Sequence, residues 1–184
     1  LRRTMSYQKT NANLLQWTQH GNDVITYNEM NTYMNNQMFY GMFPSIMIVT
    51  QDEGTYEYST YWDNATLYER DRDLFKRYIP IIRNISAAGW EPIPYATCDN
   101  PHIRFERYGN LADDLYYTVT SYDFTTESDV LSVDLSKLGF GGTVVEVIEL
   151  VTNRTSTQKV EAGRVHIVIP ELHPHDTLVY KINP

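Results

Sequence analysis

Hydrophobic and polar positions follow two different rhythms on either side of residue 99. Before it, helix-period segments alternate with short, continuous apolar runs; after it, short segments alternate apolar and polar residues with period two. The run 13–18 reads as a buried strand, followed by a turn at Gly21-Asn22-Asp23. From about Tyr27, Met30, Met34 and Met38 recur at helical spacing and Gly41 supplies a stop. The apolar run 43–50 predicts a second strand buried on both faces, and 51–62 reads as an acidic, aromatic loop.

A long helix is predicted over 64–88. Thr66 and Glu69 have capping-box spacing, and Leu67, Leu74, Phe75, Tyr78, Ile81, Ile82 and Ile85 form one apolar stripe. Arg70, Asp71, Arg72, Asp73, Lys76 and Arg77 are assigned to a solvated outer face with local ion pairs. Pro80 predicts a kink and Gly89 the end. The rhythm of this half is that of βα units. Beyond a Pro-rich connector, strands are predicted over 103–108, 115–122, 130–135, 143–151, 164–169 and 177–182. Val165, Ile167 and Ile169 share one face, as do Leu178, Tyr180 and Ile182, which is the patterning of an antiparallel sandwich. The expected fold class is therefore mixed α/β followed by all-β, with units at 1–98 and 99–184.

Composition narrows the partners. The net charge of -8 argues against a nucleic-acid backbone, which needs a basic face. Fifteen Tyr and three Trp suit flat, hydroxylated ligands as well as ordinary cores. No stretch is long and apolar enough to span a bilayer. The lone Cys98 has no internal disulfide partner, so it marks no compartment; it is read as a structural thiol. The start at Leu1 is read as truncated or processed. Sequons begin at Asn64, Asn84 and Asn153. There is no phosphate-binding glycine loop and no cofactor motif. His173-Pro-His175-Asp176 has metal-type residues but no further ligand nearby, so a turn is expected there. The Met30/Met34/Met38 stripe is read as core.

Several phrases carry a resemblance. Phe39-Tyr-Gly-Met-Phe-Pro-Ser45, Tyr61-Trp-Asp-Asn64, Tyr68 through Phe75, Tyr78-Ile-Pro80 and Ala88-Gly-Trp-Glu-Pro92 resemble the end of a (β/α)8-barrel glycoside hydrolase. Ile103 through Gly109, Tyr116-Tyr-Thr-Val119 and His175 through Tyr180 resemble the small β-sandwich that closes many such enzymes. The resemblance covers most of the chain and rests on arrangement, not on a catalytic motif. It implies that 13–18 and 43–50 are the last two barrel strands and 64–88 the last barrel helix. A barrel needs eight strands. An upstream portion, or self-association across open edges, is therefore expected to complete the fold, and the isolated chain is expected to be inactive. An extracellular or periplasmic setting suits this resemblance, although no compartment is assigned.

In a barrel the chemistry sits at the C-terminal strand ends. That rule selects Trp17, Gln19, His20 and Asp23 after the first strand, and Gln51, Asp52 and Glu53 after the second. Glycoside hydrolysis usually requires two carboxylates flanking the bond, so Asp52 and Glu53 are the catalytic candidates, with the main pair expected upstream. Trp17, Tyr56, Tyr61 and Trp62 are stacking platforms for carbohydrate, or alternatively rings packed beneath the loop. Two other readings remain open. One is a non-catalytic carbohydrate-binding module using Tyr108, Tyr116, Tyr122 and Phe124; the other is a structural or assembly domain.

Overall fold

The computed structural model describes residues 12–20, 24–52, 55–122 and 125–184. Strand β1 (Ala12–His20) leads into helix α1 (Tyr27–Tyr40), then β2 (Phe43–Asp52) and β3 (Thr55–Thr60). A 3-10 turn at Tyr61–Asp63, α2 (Ala65–Arg70) and α3 (Arg72–Ala88) follow. Short strands β4 (Trp90–Glu91) and β5 (Ala96–Thr97) precede β6 (Ile103–Gly109), β7 (Leu115–Ser121) and β8 (Glu127–Asp134). A second 3-10 turn, Ser136–Leu138, leads to β9 (Val144–Glu149), β10 (Arg154–Lys159), β11 (Arg164–Leu172) and β12 (Thr177–Asn183).

The strands form three sheets, ordered β1-β2-β3, β10-β9-β12-β7-β6-β4 and β11-β8-β5. This corrects the expected mixed α/β, barrel-end fold class. Among the described residues β1 and β2 are the single parallel pair, and every other pairing is antiparallel. On the far side of β2, where a barrel would place another parallel strand, β3 returns as a hairpin from Asp52↔Thr55 to Met47↔Thr60. The reason lies in Thr55-Tyr-Glu-Tyr-Ser-Thr60: its Thr and Tyr residues favour extended backbone, although its acidity reads as loop.

Helix α1 forms for the reasons its sequence indicates. Thr26 caps it: Glu29 N–H donates to Thr26 Oγ1 at 3.2 Å, and Thr26 N–H donates to Glu29 Oε2 at 2.8 Å. The Thr26 N–H, and then the Thr26 hydroxyl 2.7 Å from Oε2, hold the Glu29 carboxyl below its ordinary pKa. Gly41 closes the helix at φ 60°, the left-handed conformation that glycine adopts without penalty. Met30, Met34 and Met38 are each 0% exposed, and such burial is worth about 1.5–3 kcal/mol per side chain. They join Ile46, Ile48, Tyr61, Leu74, Tyr78, Ile82 and Ile85 in a first apolar cluster that reaches Tyr108, Tyr116 and Val179 of the six-stranded sheet.

A second cluster fills the space between the six-stranded and the three-stranded antiparallel sheets. Leu115, Tyr117, Val119, Val147, Tyr180 and Ile182 meet Leu131, Val133, Val165, Ile167 and Ile169 there. The six-stranded sheet is thus covered on both faces, by helices on one side and a sheet on the other. All seven residues of β7 are buried in consequence. Its polar side chains find partners: Thr118 Oγ1 donates to the Phe39 carbonyl at 2.9 Å and Thr120 Oγ1 to the Asp176 carbonyl at 2.8 Å.

The long predicted helix is divided. It starts two residues earlier than its Thr66 pattern implies, because Asn64 Oδ1 accepts from Leu67 N–H at 3.3 Å. It runs through Pro80 and breaks instead at Asp71, which ends α2 and begins α3.

Candidate functional site

The break at Asp71 builds the most distinctive surface among the described residues. Asp71 is 0% exposed, not solvated as the charge pattern implies. Arg70 grips it with Nε on Oδ1 at 2.6 Å and Nη2 on Oδ2 at 2.7 Å, while Nη1 donates to the Ile25 carbonyl at 2.8 Å. The Tyr61 hydroxyl lies 2.7 Å from Asp71 Oδ2 and 2.9 Å from the Leu67 carbonyl. Burial, and then the bond to Asp71, raise the Tyr61 pKa far above its ordinary value. The adjoining turn is fixed by Thr60, whose N–H and hydroxyl donate to Asp63 Oδ2 at 2.8 and 2.9 Å.

Of the two readings of Tyr61, a platform for sugar or a ring packed beneath the loop, its burial fits the second. It is 0% exposed and offers no surface to a ligand. Its neighbour Trp62 lies outward at 58% exposure. The Trp62 ring meets Tyr61 edge-on at 5.3 Å, Phe75 at 5.1 Å and Tyr68 at 6.2 Å between centroids. Trp62, Tyr68 and Phe75, with Arg72 and Lys76, line an open groove of about 310 Å³. Arg72 is already engaged with Glu69, its Nε donating to Oε2 at 2.8 Å. The five lining residues are three aromatics and two cations, which places flat apolar faces beside positive charge. Trp62 was visible in the sequence as an aromatic platform. In the sequence Phe75 belongs to a helix stripe and Arg72 and Lys76 to a charged face, while Tyr68 enters only through the phrase Tyr68 through Phe75. Their i, i+3/i+4/i+7 spacing places them together, but only the turn at Tyr61–Asp63 lays Trp62 over them.

The other sequence candidates separate. Trp17 is half-buried and packs against the first apolar cluster. The parallel register Gln19↔Thr50 and His20↔Gln51 brings the ends of β1 and β2 side by side, with Asp52 ending β2. Gln19, Gln51 and Asp52 are described in backbone only, while Asp23 and Glu53 lie outside the described residues, as does Phe124. Tyr56 is likewise described in backbone only. Tyr108 and Tyr116, needed on the surface by a binding-module reading, are each 2% exposed. Tyr122 is half-buried under the Arg104 guanidinium, 4.4 Å from its ring. Cys98 Sγ donates to Asp129 Oδ2 at 2.9 Å, and burial followed by that bond pushes the thiol up to about 12. His173 to Asp176 form a turn closed by Asp176 N–H on the His173 carbonyl at 3.0 Å. Among the described residues no group of three His, Cys, Asp or Glu is arranged to hold a metal, and no helix is long and apolar enough to cross a membrane.

No protein-family model and no curated relative matches the chain. Solved structures do resemble it. A GH27 β-L-arabinopyranosidase from Geobacillus stearothermophilus matches 87% of this chain with TM-score 0.51 and 15% identity. A maltogenic alpha-amylase from Thermotoga neapolitana matches 94% with TM-score 0.52 and 12% identity. At such identities the likeness is one of fold. The chain spans 31% of the first structure and 41% of the second, well under half of each. Both of these structural neighbours are glycoside hydrolases, and this chain corresponds to only part of either.

Proposed function

We propose that this chain is the C-terminal portion of a glycoside hydrolase, contributing a sugar-contacting surface and supporting antiparallel sheets. The observation that carries this reading is the fold likeness to two glycoside hydrolases over 87% and 94% of the chain. The groove of Trp62, Tyr68 and Phe75 supports it, because the C–H face of a pyranose packs on flat rings. In this reading Asp52 and Glu53 are the candidate carboxylates that this chain supplies, Gln19, Asp23 and Gln51 are candidate sugar contacts, and the remaining catalytic carboxylates belong to the upstream portion. Two carboxylates on opposite sides of the bond are required. The isolated chain is therefore a carbohydrate binder and not a hydrolase.

The test is titration of the chain with neutral oligosaccharides, followed by tryptophan fluorescence. Trp62→Ala is expected to weaken binding at least about tenfold, equivalent to about 1.4 kcal/mol. Unchanged affinity in a folded Trp62→Ala variant would remove the groove from the reading. Absence of binding to any oligosaccharide would remove the sugar.

The upstream portion is also proposed as the partner of β1. Among the described residues β1 pairs only with β2, and Leu14 on it is 54% exposed. An unpaired strand edge with an exposed large apolar residue recruits another strand. Native mass spectrometry is expected to give a species heavier than the 21.5 kDa chain, either a self-associated form or a complex with the upstream polypeptide. A stable monomer at every concentration would show that the edge needs no partner.

A further inference from the structure

We propose that Asn153 is an N-glycan attachment site, and that of the three sequons it is the one the folded chain presents. The sequons Asn64-Ala-Thr66, Asn84-Ile-Ser86 and Asn153-Arg-Thr155 are equivalent as motifs. The fold makes them unequal. Asn64 is the cap of α2, its side-chain oxygen occupied by Leu67 N–H, and Thr66 lies in the first helical turn. Asn84 and Ser86 both lie inside α3, where residues two apart point away from each other. The carboxamide and the hydroxyl two residues on, which a transferase must engage together, are held apart there.

Asn153 differs in each respect. It lies in the turn between β9 and β10 at φ 56°, a left-handed conformation that Asn tolerates. It is exposed, as are Arg154 and Thr155. The next residues enter β10, the outermost strand of its sheet, so the acceptor backbone becomes extended at the second sequon position. The turn is also held in shape. The Glu149 carboxylate accepts from Val151 N–H at 2.8 Å and from Thr152 N–H at 2.7 Å, fixing the two residues that precede Asn153. No hydrogen bond of the Asn153 side chain competes for its carboxamide among the described residues.

The donor is a lipid-pyrophosphate-linked oligosaccharide, supplied with its membrane transferase by a secretory compartment. The Asn153 Nδ2 attacks the anomeric carbon of the sugar. The C–N bond forms as the C–O bond to pyrophosphate breaks, the lipid pyrophosphate leaves with the electron pair, and the proton lost from Nδ2 passes to a base of the transferase.

The full chain, fused behind a secretion signal and carrying a reporter sequon at its C-terminus, is expressed in a eukaryotic secretory host. Peptide N-glycosidase converts each glycosylated Asn to Asp, so peptide mass spectrometry reads the sites directly. Conversion is expected at Asn153 and the reporter, and at neither Asn64 nor Asn84. Asn153→Gln and Thr155→Ala are each expected to lose the glycan, and Asn84→Gln to keep it. Thr155→Ala retains the left-handed Asn153, so it separates loss of the acceptor motif from misfolding of the turn. A secreted, folded chain modified at the reporter but not at Asn153 would overturn the proposal, as would conversion at Asn64 or Asn84 in its place.

Discussion

Asp71→Ala is expected to destabilise the fold by about 3 kcal/mol, the low end of the range for breaking a buried ion pair. The Asp71 carboxylate is fully buried and gathers Arg70, the Tyr61 hydroxyl and the junction of two helices. Removing it leaves the Arg70 guanidinium without its counter-charge. The cost stays at the low end because Arg70 is 31% exposed and keeps the Ile25 carbonyl, while Tyr61 keeps the Leu67 carbonyl. Tyr61→Phe removes only one donor from the same carboxylate and is expected to cost about 1 kcal/mol. Urea denaturation of the two variants checks both values. The local consequence is as informative as the global one. Trp62 rests edge-on against Tyr61, so Asp71→Ala is expected to loosen the groove and change Trp62 fluorescence before global unfolding. An unfolding midpoint equal to that of the parent would show that Asp71 is not the keystone of this junction.

Gly109→Ala is expected to be the most damaging Gly→Ala change among the described residues. Gly109 ends β6 at φ 70°, where a Cβ atom would lie 2.0 Å from the Asp114 carbonyl oxygen and 3.0 Å from Ala88 Cβ. The obstruction is backbone on one side and a packed helix end on the other, so no side-chain rotation relieves it. The position is also tied down: Gly109 N–H donates to the Gly89 carbonyl at 2.8 Å, and Arg107 Nη1 donates to the Gly109 carbonyl at 2.8 Å. A loss above about 4 kcal/mol is expected, which is a large part of the stability of an ordinary domain. Gly139→Ala is the control. Gly139 has φ 84° but nothing within 4 Å of the added atom, so the conformational cost of about 1–2 kcal/mol acts alone. Thermal unfolding and soluble yield of the pair separate steric from conformational cost. Equal losses in the two variants would contradict the clash.

Much of the helical layer was legible because its signal is local. Met30, Met34 and Met38 recur at helical spacing and are all fully buried, and Gly41 and Gly89 stop their helices where expected. The alternation of Val165, Ile167 and Ile169 likewise gives the buried face of β11, with Val168 71% exposed between them. Where the local signal was degenerate, it misled. Thr26 and Glu29 share the spacing of Thr66 and Glu69, yet only the first pair forms a capping box, because Asn64 starts the second helix earlier. Strand β10, Arg-Thr-Ser-Thr-Gln-Lys, has no apolar residue and thus no period to read; its partner β9 makes it a strand.

The sequence by itself determined which segments are apolar enough to bury, that helices stop at Gly41 and Gly89 and which faces of the later strands turn inward. These depend on side chains a few positions apart. Tertiary structure alone decided that β3 returns antiparallel against β2, that β7 is buried on both faces and that Asp71 lies inside. It also decided that Tyr61 is buried while Trp62 is exposed, although the two rings are adjacent and chemically alike as platforms. Each of these outcomes depends on what a distant segment covers: Arg70 reaching the Ile25 carbonyl, α1 lying on the six-stranded sheet, and Phe75 closing over the turn. Burial is a property of the assembled layers. A one-dimensional pattern records that a residue is able to be buried, and packing selects which of two able neighbours is.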